Sequence, residues 1–298
     1  MTTNFSISII GAGRLGGALA IALAQKKYKI ENLAARNYKT ARTIAGLVQP
    51  NPNILPADDY SEIVSDVILI TTQDSEIEKV ADRLADQLKT KPLVFHTSGS
   101  LSSEVLHRLK SVGCLIGSIH PLVSISNARL GADRFADAFF CVEGDAEAVA
   151  FAEEIISKLG GKSFSVATEY KTLYHASAVT ACGHLVALID AAIEMLTECG
   201  LEENQARKIL LPLIKSTVSN LESQTTGEAL TGTFARTDVE TLGKHLAVLQ
   251  AKVSPEALKI YLELGERSLR LTEARGASVE NIEKMRGQIL LAKTNLKC

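Results

Sequence analysis

Phe5-Ser-Ile-Ser-Ile-Ile-Gly-Ala-Gly-Arg-Leu-Gly16, running into the alanine-rich stretch that ends near Lys26, decides the fold. A β-rich run stops at Gly11, and a helix is predicted from Arg14. Gly11 suits a tight turn, and Gly13 leaves backbone open to a pyrophosphate. Gly16 lets the helix lie close to the strand, while Arg14 and Leu15 sit where helix N–H groups face an anion. This is the spacing of a dinucleotide site. About 20 residues on, where an acid would hold a ribose 2′-hydroxyl, the chain reads Ala34-Ala35-Arg36-Asn37-Tyr38-Lys39. A guanidinium at Arg36, with Asn37 beside it, suits a 2′-phosphate, so the expected cofactor is NADP(H). Thr72 and Gln73, after the run Val67–Thr72, are expected near the nicotinamide ribose.

Working outward, β-rich runs at Phe5–Ile10, Ile30–Ala35, Val67–Thr72, Leu93–His96, Leu115–Ile119 and Phe139–Val142 alternate with predicted helices. Those helices lie at Arg14–Lys26, Tyr38–Val48, Ser75–Leu88 and Ser102–Ser111. Continuous apolar strands in βαβ order indicate an α/β, doubly wound parallel sheet over residues 1–166. Pro50, Pro52 and Pro56 mark an irregular link. Residues 167–298 change to long helices and form an all-α domain. Glu169–Cys199 reads as one helix with Cys182, Leu185, Val186, Ile189, Ile193 and Leu196 at helical spacing. At about 1.5 Å per residue it is too long for a modest domain to cover, so a second subunit is expected. Leu201–Ser223 continues with Pro212 inside, and Ser254-Pro255-Glu256 is a helix start.

The 298 residues carry 32 Lys plus Arg against 34 Asp plus Glu, a net charge of −2. That balance does not suggest a nucleic-acid partner. No run of about 18–20 uninterrupted apolar residues is present, so no membrane partner is expected. The five cysteines, Cys114, Cys141, Cys182, Cys199 and Cys298, are scattered without Cys-x-x-Cys spacing. They read mostly as buried thiols rather than disulfides or metal ligands, in a cytoplasmic protein.

Two segments carry the candidate chemistry. His96-Thr-Ser98-Gly-Ser100 and Gly117-Ser-Ile-His120-Pro121 close successive strands, where ligands of such sheets bind. Ser98 and Ser100 could orient substrate, His120 could move a proton, and His96 reads equally as a capped strand end. Glu169-Tyr-Lys171-Thr-Leu-Tyr174-His175 opens the long helix. Lys171 and His175 share one face, and a lysine in a water-poor cleft could have a lowered pKa suited to proton transfer. Arg236, within Thr231-Gly-Thr-Phe-Ala-Arg-Thr-Asp238, could clamp a substrate carboxylate or lie at a subunit contact.

In their order, the glycine loop, His-Thr-Ser-Gly-Ser, Ile-His-Pro-Leu, Tyr-His-Ala-Ser-Ala and Leu-Thr-Gly-Thr-Phe-Ala-Arg-Thr-Asp resemble a bacterial family. That family joins a Rossmann-like domain to a C-terminal domain of unknown function. Its last motif usually reads Thr-Gly-Pro and Arg-Gly-Asp, where this chain has Thr233 and Thr237. More distantly the chain is similar to 6-phosphogluconate and 3-hydroxyacid dehydrogenases, prephenate dehydrogenase and pyrroline-5-carboxylate reductase. The resemblance implies NADP binding, a 6-phosphogluconate-dehydrogenase-like helical domain that forms a homodimer, and a site in the interdomain cleft. Lys171 matches the lysine of the hydroxyacid enzymes' Lys-x-x-x-Asn, with His175 at the Asn, while Ser98 or Ser100 and His120-Pro121 match the prephenate enzymes' Ser…His-Pro. The function expected is an NADP-dependent oxidoreductase acting on a small, anionic metabolite. The alternative is a non-catalytic NADP-binding sensor or scaffold.

Overall fold

β1 (Ser6–Ile10) is buried along most of its length, as are its neighbours β2 (Lys29–Ala34) and β4 (Val67–Ile70). Such strands need cover on both faces, which flanking helices supply. The computed structural model describes residues 5–296 in two compact units, one up to Cys182 and one from Gly183. The division falls within a long helix, beyond the 166/167 point where the sequence pattern changes.

The first unit is an eight-stranded sheet in the order β3-β2-β1-β4-β5-β6-β7-β8. β3 (Asn53–Leu55), β5 (Leu93–His96), β6 (Leu115–Pro121), β7 (Phe139–Gly144) and β8 (Lys162–Phe164) complete it. All pairings are parallel except β6 with β7, which is antiparallel. The sheet is therefore doubly wound, as the sequence pattern suggested, but not wholly parallel as expected. The irregular link expected around Pro50–Pro56 contains strand β3, whose three residues are too few to show a periodicity.

The helices α1 (Arg14–Gln25), α2 (Tyr38–Ala45), α3 (Asp74–Gln87), α4 (His107–Ser111), α5 (Ala128–Gly131) and α6 (Ala146–Leu159) flank the sheet. One apolar layer unites Ile7, Ile9, Leu19, Leu23, Phe95, Phe140 and Ile155, and the opposite layer unites Ile10, Tyr60, Ile68, Ile77 and Leu84. Helix α1 is seated by its glycines. A Cβ on Gly16 would lie 2.1 Å from the Gly11 carbonyl oxygen and 2.3 Å from Thr71 Oγ1, and Gly11 itself has φ +110°. At Gly13 a Cβ would meet nothing within 4 Å.

The long helix α7 (Lys171–Thr197) follows, then α8 (Glu203–Ser223), α9 (Thr226–Ala229), α10 (Gly232–Ala235), α11 (Val239–Lys252), α12 (Pro255–Glu273) and α13 (Val279–Asn295). In the second unit α11, α12 and α13 share a core of Leu242, Leu246, Leu258, Leu262, Met285 and Ile289. Ser254 caps α12 by accepting from Ala257 N at 3.2 Å. Pro212 lies inside α8. On α8 Ile209, Leu213, Val218 and Leu221 are exposed, as are Leu173, Leu185 and Val186 on α7.

By length and composition alone the helical segment Thr168–Thr197, which contains α7, is apolar enough to cross a membrane, with a mean hydropathy of 1.6 over its most apolar window. That corrects the expectation that no such segment exists. Counting uninterrupted apolar residues passes over a helix whose apolar side chains are interspersed with Thr, Ser, His and Gly. Among the cysteines Cys114 and Cys141 are buried, Cys182 and Cys199 are exposed, and Cys298 lies outside the described residues. The scattered thiols are thus not mostly buried within one chain.

Gly16→Ala is expected to lower folding stability by roughly 1–3 kcal/mol, because its methyl meets backbone that cannot yield. Gly13→Ala should cost no more than about 1 kcal/mol. Urea unfolding of the two variants checks both.

Candidate active site

The sheet reverses its winding between β1 and β4, and the candidate residues follow its carboxyl edge from there. Gly13 precedes helix α1 and offers it no side-chain cap, so the first N–H groups of the helix are not claimed by a capping side chain. Gly13 and Arg14 are exposed beside them. Arg36 stands exposed beyond the end of β2. Asn37 caps α2, its Oδ1 accepting from Thr40 N at 3.1 Å. After β4, the Oγ1 of Thr72 is buried without a hydrogen-bond partner, and Gln73 is exposed at the start of α3. An uncapped helix start, an open Gly13 and an orphaned hydroxyl fit a phosphate-bearing ligand laid along this edge. Gly11, Gly13, Arg14, Leu15, Arg36, Thr72 and Gln73 could hold it.

Beyond them a row of polar residues crosses the sheet. His96 on β5 pairs with Ser118 on β6, which pairs with Glu143 on β7, so the three share one face. Lys171, 1% exposed, closes over that row. Its Nζ donates to Ser118 Oγ at 2.6 Å and to Glu143 Oε1 at 2.6 Å. Glu143 also accepts from Ser103 N and Ser103 Oγ, both at 2.7 Å. Burial pushes its carboxyl up, but the bonds from Lys171 and Ser103 outweigh that and hold it below the ordinary carboxylate range.

Lys171 was expected as a proton carrier with a lowered pKa. The structure engages it in a buried ion pair with Glu143. This geometry serves anchoring better than proton transfer. Nothing in the local sequence marks Glu143 as its partner, since the pairing depends on the β6–β7 register.

His96 is fully buried. Its Nδ1 accepts from Ser98 N at 3.2 Å, and its Nε2 therefore donates to the Ser102 carbonyl at 3.1 Å. Burial, reinforced by Lys171, pulls its pKa down to about 4, and the ring stays neutral. Of its two readings, the capped strand end is the one this geometry supports. Ser98 is likewise committed: its Oγ donates to Asp74 Oδ2 at 2.7 Å and accepts from Ser100 N and Leu101 N, each at 3.1 Å. Ser100 Oγ donates to the same Asp74 oxygen at 2.7 Å. Both hydroxyls expected to orient substrate thus build the loop. Asp74 was not anticipated, because a first-turn acid of a helix looks like ordinary dipole compensation.

His120 stands two residues beyond Ser118 on the same face of β6, about 6.6 Å along the strand, and one turn of α7 carries the chain about 5.4 Å beyond Lys171. That match brings Tyr174 and His175 onto His120. The Tyr174 hydroxyl lies 2.6 Å from His120 Nδ1, with ring centroids 5.6 Å apart, and the His120 and His175 rings meet edge to face at 5.7 Å. Gly99 admits this pair. A Cβ there would come within 2.6 Å of His175 Cδ2 and 2.8 Å of His120 Nε2. Burial, then the electrostatic influence of His175 and Lys171, lowers His120 to about 4, so it is neutral near pH 7. Burial pushes the Tyr174 phenol well above its ordinary value.

Arg236 belongs to the second unit, exposed at the end of α10. Thr237 beside it has φ +50°, so the left-handed backbone that glycine favours is kept here by a threonine.

Sequence profiles match a Rossmann-like domain over residues 1–121 and a domain of unknown function, DUF2520, over residues 138–268. The chain joins a Rossmann-like domain to a DUF2520 domain. A candidate NADP oxidoreductase from Bacteroides fragilis is 24% identical with a TM-score of 0.74, covering 90% of this chain and 98% of that one. A Thermotoga maritima protein is 23% identical with a TM-score of 0.69, covering 90% and 99%. A pyrroline-5-carboxylate reductase from Coxiella burnetii is 14% identical with a TM-score of 0.59, covering 95% and 99%. These likenesses establish the fold of the chain. No curated protein matches it in sequence.

Lys171→Met strands the Glu143 carboxylate and is expected to cost about 3–5 kcal/mol of stability. Adding Glu143→Gln, which keeps an acceptor for Ser103, should recover part of that loss. Denaturant titration of the single and double variants measures the coupling.

Proposed function

We propose that this protein is an NADP(H)-dependent oxidoreductase of a small metabolite. The observation that carries the reading is the continuity of one sheet edge. The uncapped α1 start, the open Gly13 and the orphaned Thr72 hydroxyl adjoin β5 and β6, whose ends present Gly99 and His120. The fold likeness to a candidate NADP oxidoreductase and to a pyrroline-5-carboxylate reductase supports the same reading. When bound, NADP(H) supplies or accepts a hydride.

The chain's own residues do the rest. Gly11, Gly13, Arg14, Leu15 and Gly16 shape the pyrophosphate site, and Thr72 and Gln73 flank the ribose. Arg36 takes the 2′-phosphate, with Asn37 fixing the turn behind it. His120 interacts with the reacting oxygen or nitrogen of the substrate, and His175 lines the site beside it. Lys171 positions the first turn of α7. Ser98 and Ser100 hold the Gly99 loop.

The exposed apolar side chains of α7 and α8 are proposed to face a second copy of the chain, giving a cytoplasmic homodimer. Light scattering should then give twice 32.0 kDa. A stable monomer would remove the dimer.

Titration with NADPH and NADH, followed by nicotinamide fluorescence, tests the cofactor reading; the chain contains no Trp to interfere. NADPH is expected to bind roughly 10- to 100-fold more tightly, the value of a charge-assisted contact, and Arg36→Ala should erase that preference. Equal binding of NADH by the unaltered protein refutes the role of Arg36. Binding of neither refutes the oxidoreductase.

A further inference from the structure

The hydrogen bond between Tyr174 and His120 can run in either direction, and the two directions leave opposite chemistry at His120 Nε2. A Tyr174 donor leaves Nε2 protonated, able to donate to substrate. An Nδ1–H donor would leave Nε2 a bare acceptor. We propose that Tyr174 donates to His120 Nδ1 and holds His120 as the Nε2–H tautomer, selecting a substrate whose reacting atom is a carbonyl oxygen. This deepens the oxidoreductase reading and rests on it for its catalytic use.

Three observations carry the direction of the bond. The O···N separation is 2.6 Å, which suits a strong O–H donor on a ring nitrogen. A phenol gives up its hydrogen to a neutral imidazole more readily than it accepts from one, since its oxygen lone pair is shared with the ring. No other hydrogen bond of the Tyr174 hydroxyl is present among the described residues.

The position of Nε2 carries the rest. It borders the place where a Cβ on Gly99 would stand, and no hydrogen bond to it is present among the described residues. The Nε2–H can therefore meet a ligand. A neutral N–H polarises a carbonyl, whereas a protonated imine has no lone pair to offer it. Tyr174 is thus a positioning residue, acting through His120. Phe164, edge to face with Tyr174 at 5.7 Å, helps to hold the phenol ring in place.

Long-range proton–nitrogen NMR of protein labelled with ¹⁵N-histidine reads the tautomer without turnover, His120 being assigned by loss of its signals in His120→Gln. At neutral pH the wild type is expected to show a bare Nδ1 and a protonated Nε2. Tyr174→Phe keeps the ring and removes the donor. It should shift the tautomer ratio toward Nδ1–H roughly fivefold or more, the bias one neutral hydrogen bond supplies. A wild-type Nδ1–H pattern, or a ratio unchanged in Tyr174→Phe, overturns the proposal.

With 2-oxo acids and aldehydes against 1-pyrroline as probes, NADPH oxidation by the carbonyl compounds is expected. His120→Gln should then lower kcat roughly 10²- to 10³-fold. Oxidation with 1-pyrroline alone overturns the substrate class. Failure of the wild type to bind NADPH overturns the catalytic use of the tautomer while leaving the NMR result intact, so the two readings fail separately.

Discussion

Taking the Lys171 ammonium out of water is expensive, and the fold meets that cost by placing Glu143 and Ser118 within 2.6 Å of it. Ser118 and Glu143 face each other across the one antiparallel pairing in the sheet. Glu143 in turn takes both donors of Ser103, so the pair reaches into the segment after β5 as well. A point charge with few places to go is a strict positional constraint. Through it the first turn of α7 is fixed above β6, and everything that helix turn brings to the site depends on the same contact.

From that anchor the site assembles by matched repeats. One helical turn beyond Lys171 and two strand residues beyond Ser118 advance by similar distances, so Tyr174 and His175 arrive over His120. Gly99 clears the volume in which the two imidazoles meet. Asp74 braces the Gly99 loop through Ser98 and Ser100, with His96 locked beneath by backbone partners on both nitrogens. Rigid groups thus surround one imidazole with a free edge. The turn into α1 needs no such scaffolding, because the helix and its glycines form it from consecutive residues.

Local patterns made much of this legible. The glycine spacing, the apolar strands and the start of α12 each depend on a few adjacent residues, and each is where the sequence placed it. The short strands β3 and β8 were not legible, since three residues show no periodicity. Lys171 and His120 were found as candidates because they lie beside strand and helix ends. Tyr174 was passed over because a tyrosine in an apolar helix reads as packing. Glu143 and Asp74 were missed because an acid in a strand or at a helix start carries no signal of its partner.

The sequence by itself determined the α/β character of the first half, the helical character of the second and the glycine turn between β1 and α1. Those follow from side-chain period and backbone freedom, which are properties of neighbours along the chain. Only the tertiary structure decided that Lys171 is ion-paired with Glu143, that Ser98 and His96 find hydrogen-bond partners within the chain, and that Tyr174 sits on His120. Those depend on strand register and on where α7 meets the sheet. Burial then sets the charge of each group, because a desolvated side chain keeps a charge only where a partner from a distant part of the chain compensates it.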